Sequence, residues 1–227
     1  TLEGYMDDIR IYDYALSQEE VTRIYKLGAT SKVNKTINTQ AALNDNFLIG
    51  HWTFDGTHLD TTLPLLEVRD RSGNQYHGDW RNHSTTTRPG RLGQAIEFDG
   101  TDDYISVGNI GNGVQTIAFW LKADDVTSQK LINIDGTDQI EINGSSQIVA
   151  TSFPGATVYV DGSSASAAIT GSRWHHIVVS DSSGVNAFTF EIGRVSTGYY
   201  DGILDDVRAY TKQLSADEIT DLHQMGR

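Results

Sequence analysis

From Leu48 onward the chain alternates short apolar and polar runs between turn signals spaced roughly ten residues apart, the pattern of a β-sandwich or barrel. Strands are expected at 48–54, 95–98, 104–107, 116–122, 131–134, 139–143, 147–152, 157–160, 175–180, 187–192 and 202–210. In 116–122, Ile117, Phe119 and Leu121 alternate with Thr116, Ala118, Trp120 and Lys122, so one face can enter a core while the other meets a second layer or water. Asp99-Gly100, Asp135-Gly136 and Asp161-Gly162 mark tight turns, where glycine accepts a positive φ. One helix stands out. Ser215 opens a capping box closed by Glu218, and Ile219 and Leu222 supply its apolar stripe.

The two ends of the chain carry nearly the same pattern. GYMDDIRIYDYALSQEEVTRIYKLG (4–28) aligns without a gap to GILDDVRAYTKQLSADEITDLHQMG (202–226), matching at Gly4/Gly202, Asp7/Asp205, Asp8/Asp206, Arg10/Arg208, Tyr12/Tyr210, Leu16/Leu214, Ser17/Ser215, Glu20/Glu218 and Thr22/Thr220. The offset of 198 residues is the size of a domain, whereas solenoid and propeller units repeat every 20–50 residues or about that. The chain therefore reads as a cut from a tandem array. Residues 1–28 are expected to be the last strand and helix of a preceding repeat, 29–46 a polar linker, and 47–227 one complete copy. Without its own domain, the MDDIRIY strand exposes an open edge and Met6, Ile9 and Ile11, so it should dock on residues 47–227 or on a neighbouring chain, and neighbouring repeats of the same chain are expected partners.

Composition narrows the function. Seventeen basic against 30 acidic residues give a net charge of −13 with no Lys/Arg cluster, which disfavours nucleic acid and anionic membrane surfaces and favours cations. The absence of cysteine excludes a disulfide scaffold, a thiol nucleophile and a zinc knuckle. No apolar stretch reaches the ~18 residues of a membrane span, so no membrane insertion is expected. Thr1 opens no signal-peptide pattern; an export signal would lie upstream.

Seven stretches, HWTFDG (51–56), DRSGNQYHG (70–78), RPGRLGQAIEFDGTDDYISVG (88–108), TIAFWLKADD (116–125), TVYVDG (157–162), RWHHIVV (173–179) and GILDDVRAYTKQLSADEI (202–219), together resemble a laminin-G-like, concanavalin A-like module of bacterial extracellular proteins. One feature departs from the family's usual order, because VYVDG precedes the WHH strand instead of following it. The resemblance implies an all-β fold, a two-sheet antiparallel jelly-roll β-sandwich with a short C-terminal helix, in a secreted or cell-surface protein. It further implies a non-catalytic, lectin-like recognition or adhesion role towards a glycan or a surface protein. A ligand-free spacer repeat is the alternative, and a divergent glycoside hydrolase or lyase a third reading.

Adjacent aspartates in a regular strand face opposite sides, so Asp205 and Asp206 need different partners. Arg208 shares a face with Asp206 and can pair with it. The resemblance implies that Asp205, with Asp55 beside the first strand, holds a structural calcium ion, a metal that takes about six to eight oxygen ligands. The competing reading gives these residues only turn and surface-pairing roles. Asp99, Asp102 and Asp103 lack the order of an EF-hand loop and read as turn chemistry, as does Asp70. His175 and His176 face opposite ways on a strand and cannot chelate one ion together, so they, His51 and His77 are expected to be structural. Glu141 stands without a second carboxylate on its strand, and no Ser or Cys nucleophile motif is present, so no enzyme is expected. Tyr76, Trp80, Tyr199 and Tyr200 are the candidate ligand contacts in the end loops, because aromatic faces stack on sugar C–H groups.

Overall fold

The alternating runs become strands β1 (Leu48–Trp52), β2 (Leu59–Asp60), β3 (Leu66–Val68), β4 (Gly78–Arg81), β5 (Thr87–Pro89), β6 (Gln94–Asp99), β7 (Tyr104–Gly108), β8 (Gly111–Ala123) and β9 (Lys130–Asn133). There follow β10 (Gln139–Ile142), β11 (Ile148–Thr151), β12 (Thr157–Val160), β13 (His175–Ala187), β14 (Phe190–Ile192), β15 (Arg194–Val195), β16 (Gly198–Tyr199), β17 (Asp201–Tyr210) and helix α1 (Ala216–Met225). These come from a computed structural model that describes residues 47–60, 66–82 and 87–226. The strand and helix expected within 1–28, their docking, and the 29–46 linker lie outside the described residues.

Two antiparallel sheets form the expected sandwich. A seven-stranded sheet runs β12-β13-β8-β17-β6-β5, with β1 also on β17, and an eight-stranded sheet runs β11-β10-β9-β14-β7-β4-β3-β2. Cross-strand register shows how period-2 patterning builds a core. In the eight-stranded sheet Ile140, Ile132, Ile192, Ile105, Trp80 and Leu66 are successive cross-strand partners. The adjacent row, Gln139, Asn133, Glu191, Ser106, Asp79, Glu67 and Asp60, points the other way. One row joins the core with Ile117, Phe119, Leu121, Leu204 and Val207 of the opposite sheet, while the next lies on the outer face.

The outer face of the seven-stranded sheet is partly covered. Ile219 and Leu222 of α1 pack with Leu214 on Ala118, Val178 and Tyr210. Of the two surroundings open to the second face of 116–122, a further layer or water, the helix supplies the layer at Ala118. The helix opens as expected, since the Ser215 side chain accepts the Glu218 N–H while the Glu218 carboxylate accepts the Ser215 N–H. The three expected Asp-Gly turns carry φ of 72°, 97° and 83° at Gly100, Gly136 and Gly162.

Strand β17 organises the rest. It pairs with β8 along one edge, while on the other edge β6 covers 201–204 and β1 covers 207–210. At this handover, Asp205 lies opposite Trp120 and Arg208 opposite Ala118, so three steps on β17 match two on β8. The extra residue is a bulge, and Asp206 sits in it at a φ of 51°. A regular strand would send Asp205 and Asp206 to opposite faces; the bulge breaks the alternation and leaves both on the outer side of the sheet.

Candidate functional site

Asp55 and Asp205 converge on one hairpin, the β5–β6 turn. Phe54, fully buried at a φ of 58°, turns the chain out of β1. Asp55 Oδ1 then accepts the Gln94 N–H at 2.8 Å. Asp205 Oδ2 accepts the N–H groups of Arg91 at 2.7 Å and Leu92 at 2.8 Å. The RPGRLGQ stretch permits this approach because two of its positions lack side chains. A Cβ on Gly90 would stand 2.6 Å from Asp205 Oδ2, and one on Gly93, whose φ is +70°, 2.1 Å from Asp55 Oδ1.

Asp205 is fully buried, and its Oδ1 has no hydrogen-bond partner. Burial raises its carboxyl to about 7, opposed by the Leu92 and Arg91 amides and reinforced by the charges of Asp206 and Asp55. A buried carboxylate oxygen without a donor, next to a second carboxylate and a glycine-rich turn, has the donor chemistry of a hard divalent cation site.

Asp206 has the opposite surroundings. Its carboxylate accepts from Arg208 Nε at 3.0 Å and Nη2 at 3.1 Å, and lies 2.6 Å from His51 Nε2. The Asp206–Arg208 pair expected from i+2 spacing is therefore present, with His51 as a third member. Desolvation pushes the Asp206 carboxyl up, but the His51 hydrogen bond and the Arg208 charge together hold it below its ordinary value.

The remaining candidates separate by burial. Tyr199 is half-buried, with its ring 6.4 Å from that of Tyr104. Arg194, the β-bridge partner of Tyr199, lies 3.7 Å over the Tyr104 ring and donates to Glu191, which also accepts the Asn133 side-chain amide at 3.0 Å. Tyr76 is half-buried against the core, and its carbonyl accepts the Trp52 indole N–H at 2.8 Å. Trp80 and Tyr200 are not the exposed loop aromatics expected. Trp80 sits in β4 on the apolar row, 7% exposed, and Tyr200 is fully buried with its ring 6.1 Å from Phe98. Burial also raises the Tyr200 phenol well above its ordinary range. Strand β4 begins with the turn formers Gly78 and Asp79, so its own residues give little β signal.

His175 and His77 are hydrogen-bonded within the fold. His175 Nδ1 lies 2.9 Å from Asp161 Oδ2, while His77 Nδ1 accepts the Asp70 N–H at 3.0 Å. Asp70 in turn receives N–H groups of His51, Ser72 and Tyr76, as turn chemistry predicts. Asp99, Asp102 and Asp103 bring oxygens within 4.8 Å of one another, and Asp99 accepts the Thr101 N–H of its own turn. Sequence reasoning missed the polar row on the eight-stranded sheet. Glu141, two residues from Gln139, shares that face with Glu191 and is paired to Lys130.

No family model matches the sequence, and no curated protein matches it. Solved structures do match. Domain 4 of AbnA, a GH43 extracellular arabinanase from Geobacillus stearothermophilus in complex with arabinotriose, is 18% identical; the match covers 78% of this chain and 98% of that domain at a TM-score of 0.55. The Trypanosoma rangeli sialidase in complex with the inhibitor DANA is 10% identical, over 77% of this chain and 32% of the sialidase, at a TM-score of 0.51. Both likenesses are of fold, a β-sandwich found in proteins that handle carbohydrate. Among the described residues no helix is long and apolar enough to cross a membrane.

Proposed function

We propose that residues 47–226 form a non-catalytic carbohydrate-recognition module of the laminin-G-like, jelly-roll kind, working in an extracellular protein. The observation that carries this reading is the polar row of the eight-stranded sheet. Asn133, Glu191 and Arg194 are held by one another on rigid strands, with Tyr104 and Tyr199 beside them. Amide, carboxylate and guanidinium groups read hydroxyls, and tyrosine rings cover sugar C–H faces. Glu191 and Glu141 are each committed to a cation, which favours binding over general acid–base chemistry. Calorimetric titration with the oligosaccharide selected on a glycan array tests the reading. Tyr199→Ala should weaken binding about tenfold, or ~1.4 kcal/mol. Failure to bind any glycan would leave the spacer reading, and polysaccharide turnover would make the protein an enzyme.

Asp205 Oδ1 and Asp55, with carbonyl groups of the Gly90–Gly93 turn, would hold a structural calcium ion. The ion's charge would neutralise the buried carboxylate and fasten β17 and the end of β1 to the β5–β6 hairpin. Calcium at a hundredfold excess over its dissociation constant would add about 2.7 kcal/mol to stability, a melting shift of about 5–10 °C for a domain of this size. Calorimetry should show this shift for the natural chain and lose it in Asp205→Asn. An equal shift in both would place calcium elsewhere.

A further inference from the structure

The outer face of the seven-stranded sheet carries a separate concavity beside α1. Cross-strand pairing sets Trp120 opposite His176, and His223 of α1 stacks on His176 with ring centroids 5.8 Å apart and planes 9° apart. Burial, followed by the neighbouring His223, lowers His176 to about 3, so the His176 ring beneath the concavity is uncharged near neutral pH. Trp120 is 2% exposed, and its indole N–H has no acceptor. A buried donor of that kind costs about 1–3 kcal/mol unless something accepts from it.

Charge is concentrated above this floor. The Arg91 guanidinium lies 5.1 Å over the Trp120 ring, on the same residue whose backbone N–H is held by Asp205. Arg91, Trp120, Asp161, Arg173, Trp174 and His223 line a cavity of 380 Å³, within the range of about 300–1,000 Å³ typical of small-molecule sites. Arg69, Arg81, Arg88, Arg194 and Arg208 each face a carboxylate. Arg71, Arg91 and Arg173 form no ion pair among the described residues, and the last two line this cavity. In a chain of net charge −13, two unpaired guanidinium groups therefore meet at one cavity, with Asp161 as its only acidic lining residue.

We propose that this cavity binds a carboxylate-bearing sugar. The planar guanidinium forks of Arg91 and Arg173 match a carboxylate. The half-buried Trp174 ring offers a face for sugar C–H groups, and Asp161 accepts from a hydroxyl. An anion, hydroxyl groups and an apolar C–H face on one small molecule define a sugar acid. This site is on the other sheet from the polar row and does not rest on the reading given to that row.

The test is calorimetric titration of the whole chain with oligosaccharides of galacturonate and of glucuronate, against their neutral counterparts. At least one acidic series is expected to bind about tenfold or more tighter than its neutral form and to quench tryptophan fluorescence. Arg173→Ala and Trp174→Ala, at exposed and half-buried positions, should each lower that affinity about tenfold with an unchanged circular dichroism spectrum. Tyr199→Ala should leave it unaltered, which separates this site from the polar row. The proposal is overturned if neither acidic series binds, if neutral sugars bind equally well, if acetate displaces the uronate at equal concentration, or if the two cavity variants bind as the natural chain does.

Discussion

Replacing Asp206 with alanine is expected to lower the free energy of unfolding by about 3–5 kcal/mol, the cost of stripping one partner from a buried ion pair. Asp206 and Arg208 are 7% and 9% exposed, and Arg208 has the Asp206 carboxylate as its ion-pair partner among the described residues. Truncation would leave that guanidinium buried without a counter-charge and would deprive His51 of its 2.6 Å contact. Asp206→Asn, which keeps the shape and removes the charge, should recover only a minor part of the loss. Urea unfolding followed by tryptophan fluorescence reads the effect as a lower midpoint; a change under about 1 kcal/mol would show that the triad does not stabilise the handover in β17. The pH dependence has a definite sign. Because the folded Asp206 carboxyl lies below its ordinary value of 3.8 despite burial, its contribution is complete above that value and is lost as pH falls through the lower, folded one. Asp206→Ala should accordingly lose less stability than the natural chain on acidification below pH 4, or about there.

Trp52→Ala should be comparably damaging, at about 3–5 kcal/mol. The side chain is fully buried, stacks on Phe190 with centroids 5.2 Å apart, and donates its N–H to the Tyr76 carbonyl. Trp52 belongs to the seven-stranded sheet and Phe190 to the eight-stranded one, so the pair ties the two layers together. Gly50 backs the indole so closely that a Cβ there would lie 2.2 Å from the ring. The site therefore cannot collapse around alanine without moving β1. Trp52→Phe should retain the stacking and cost less, while still orphaning the Tyr76 carbonyl. Equal destabilisation by Phe and Ala would assign the effect to the indole N–H instead of to packing between the sheets.

Strands such as β8 and β17 were legible from period-2 alternation because each is long enough for its pattern to repeat. Strands β2 to β5 were not. They contain two to four residues, and Gly78, Asp79 and Pro89 speak for turns. The misplacement of Trp80 follows directly: without β4 it reads as a loop aromatic, but with β4 it becomes an inward residue paired with Ile105. Tyr200 lies between β16 and β17, where no alternation indicates direction, and only the packing of Phe98 takes it inside. The pairing of Asp55 with Asp205 came from family resemblance, since nothing in their separation of 150 residues encodes it, and the hairpin that both reach was not anticipated.

What the sequence determined by itself was local: the alternation of β8, the glycines of three tight turns, the capping box at Ser215 and the chemistry of the Asp206–Arg208 spacing. Each is settled by forces acting over a few bonds. Tertiary structure alone decided that a bulge at Asp206 would put two carboxylates on one side, that Glu191 and Asn133 would meet across strands, and that Arg91 would reach Trp120. Those outcomes depend on register between segments distant in the chain, and one residue of slip in β17 reverses the face of every side chain beyond it.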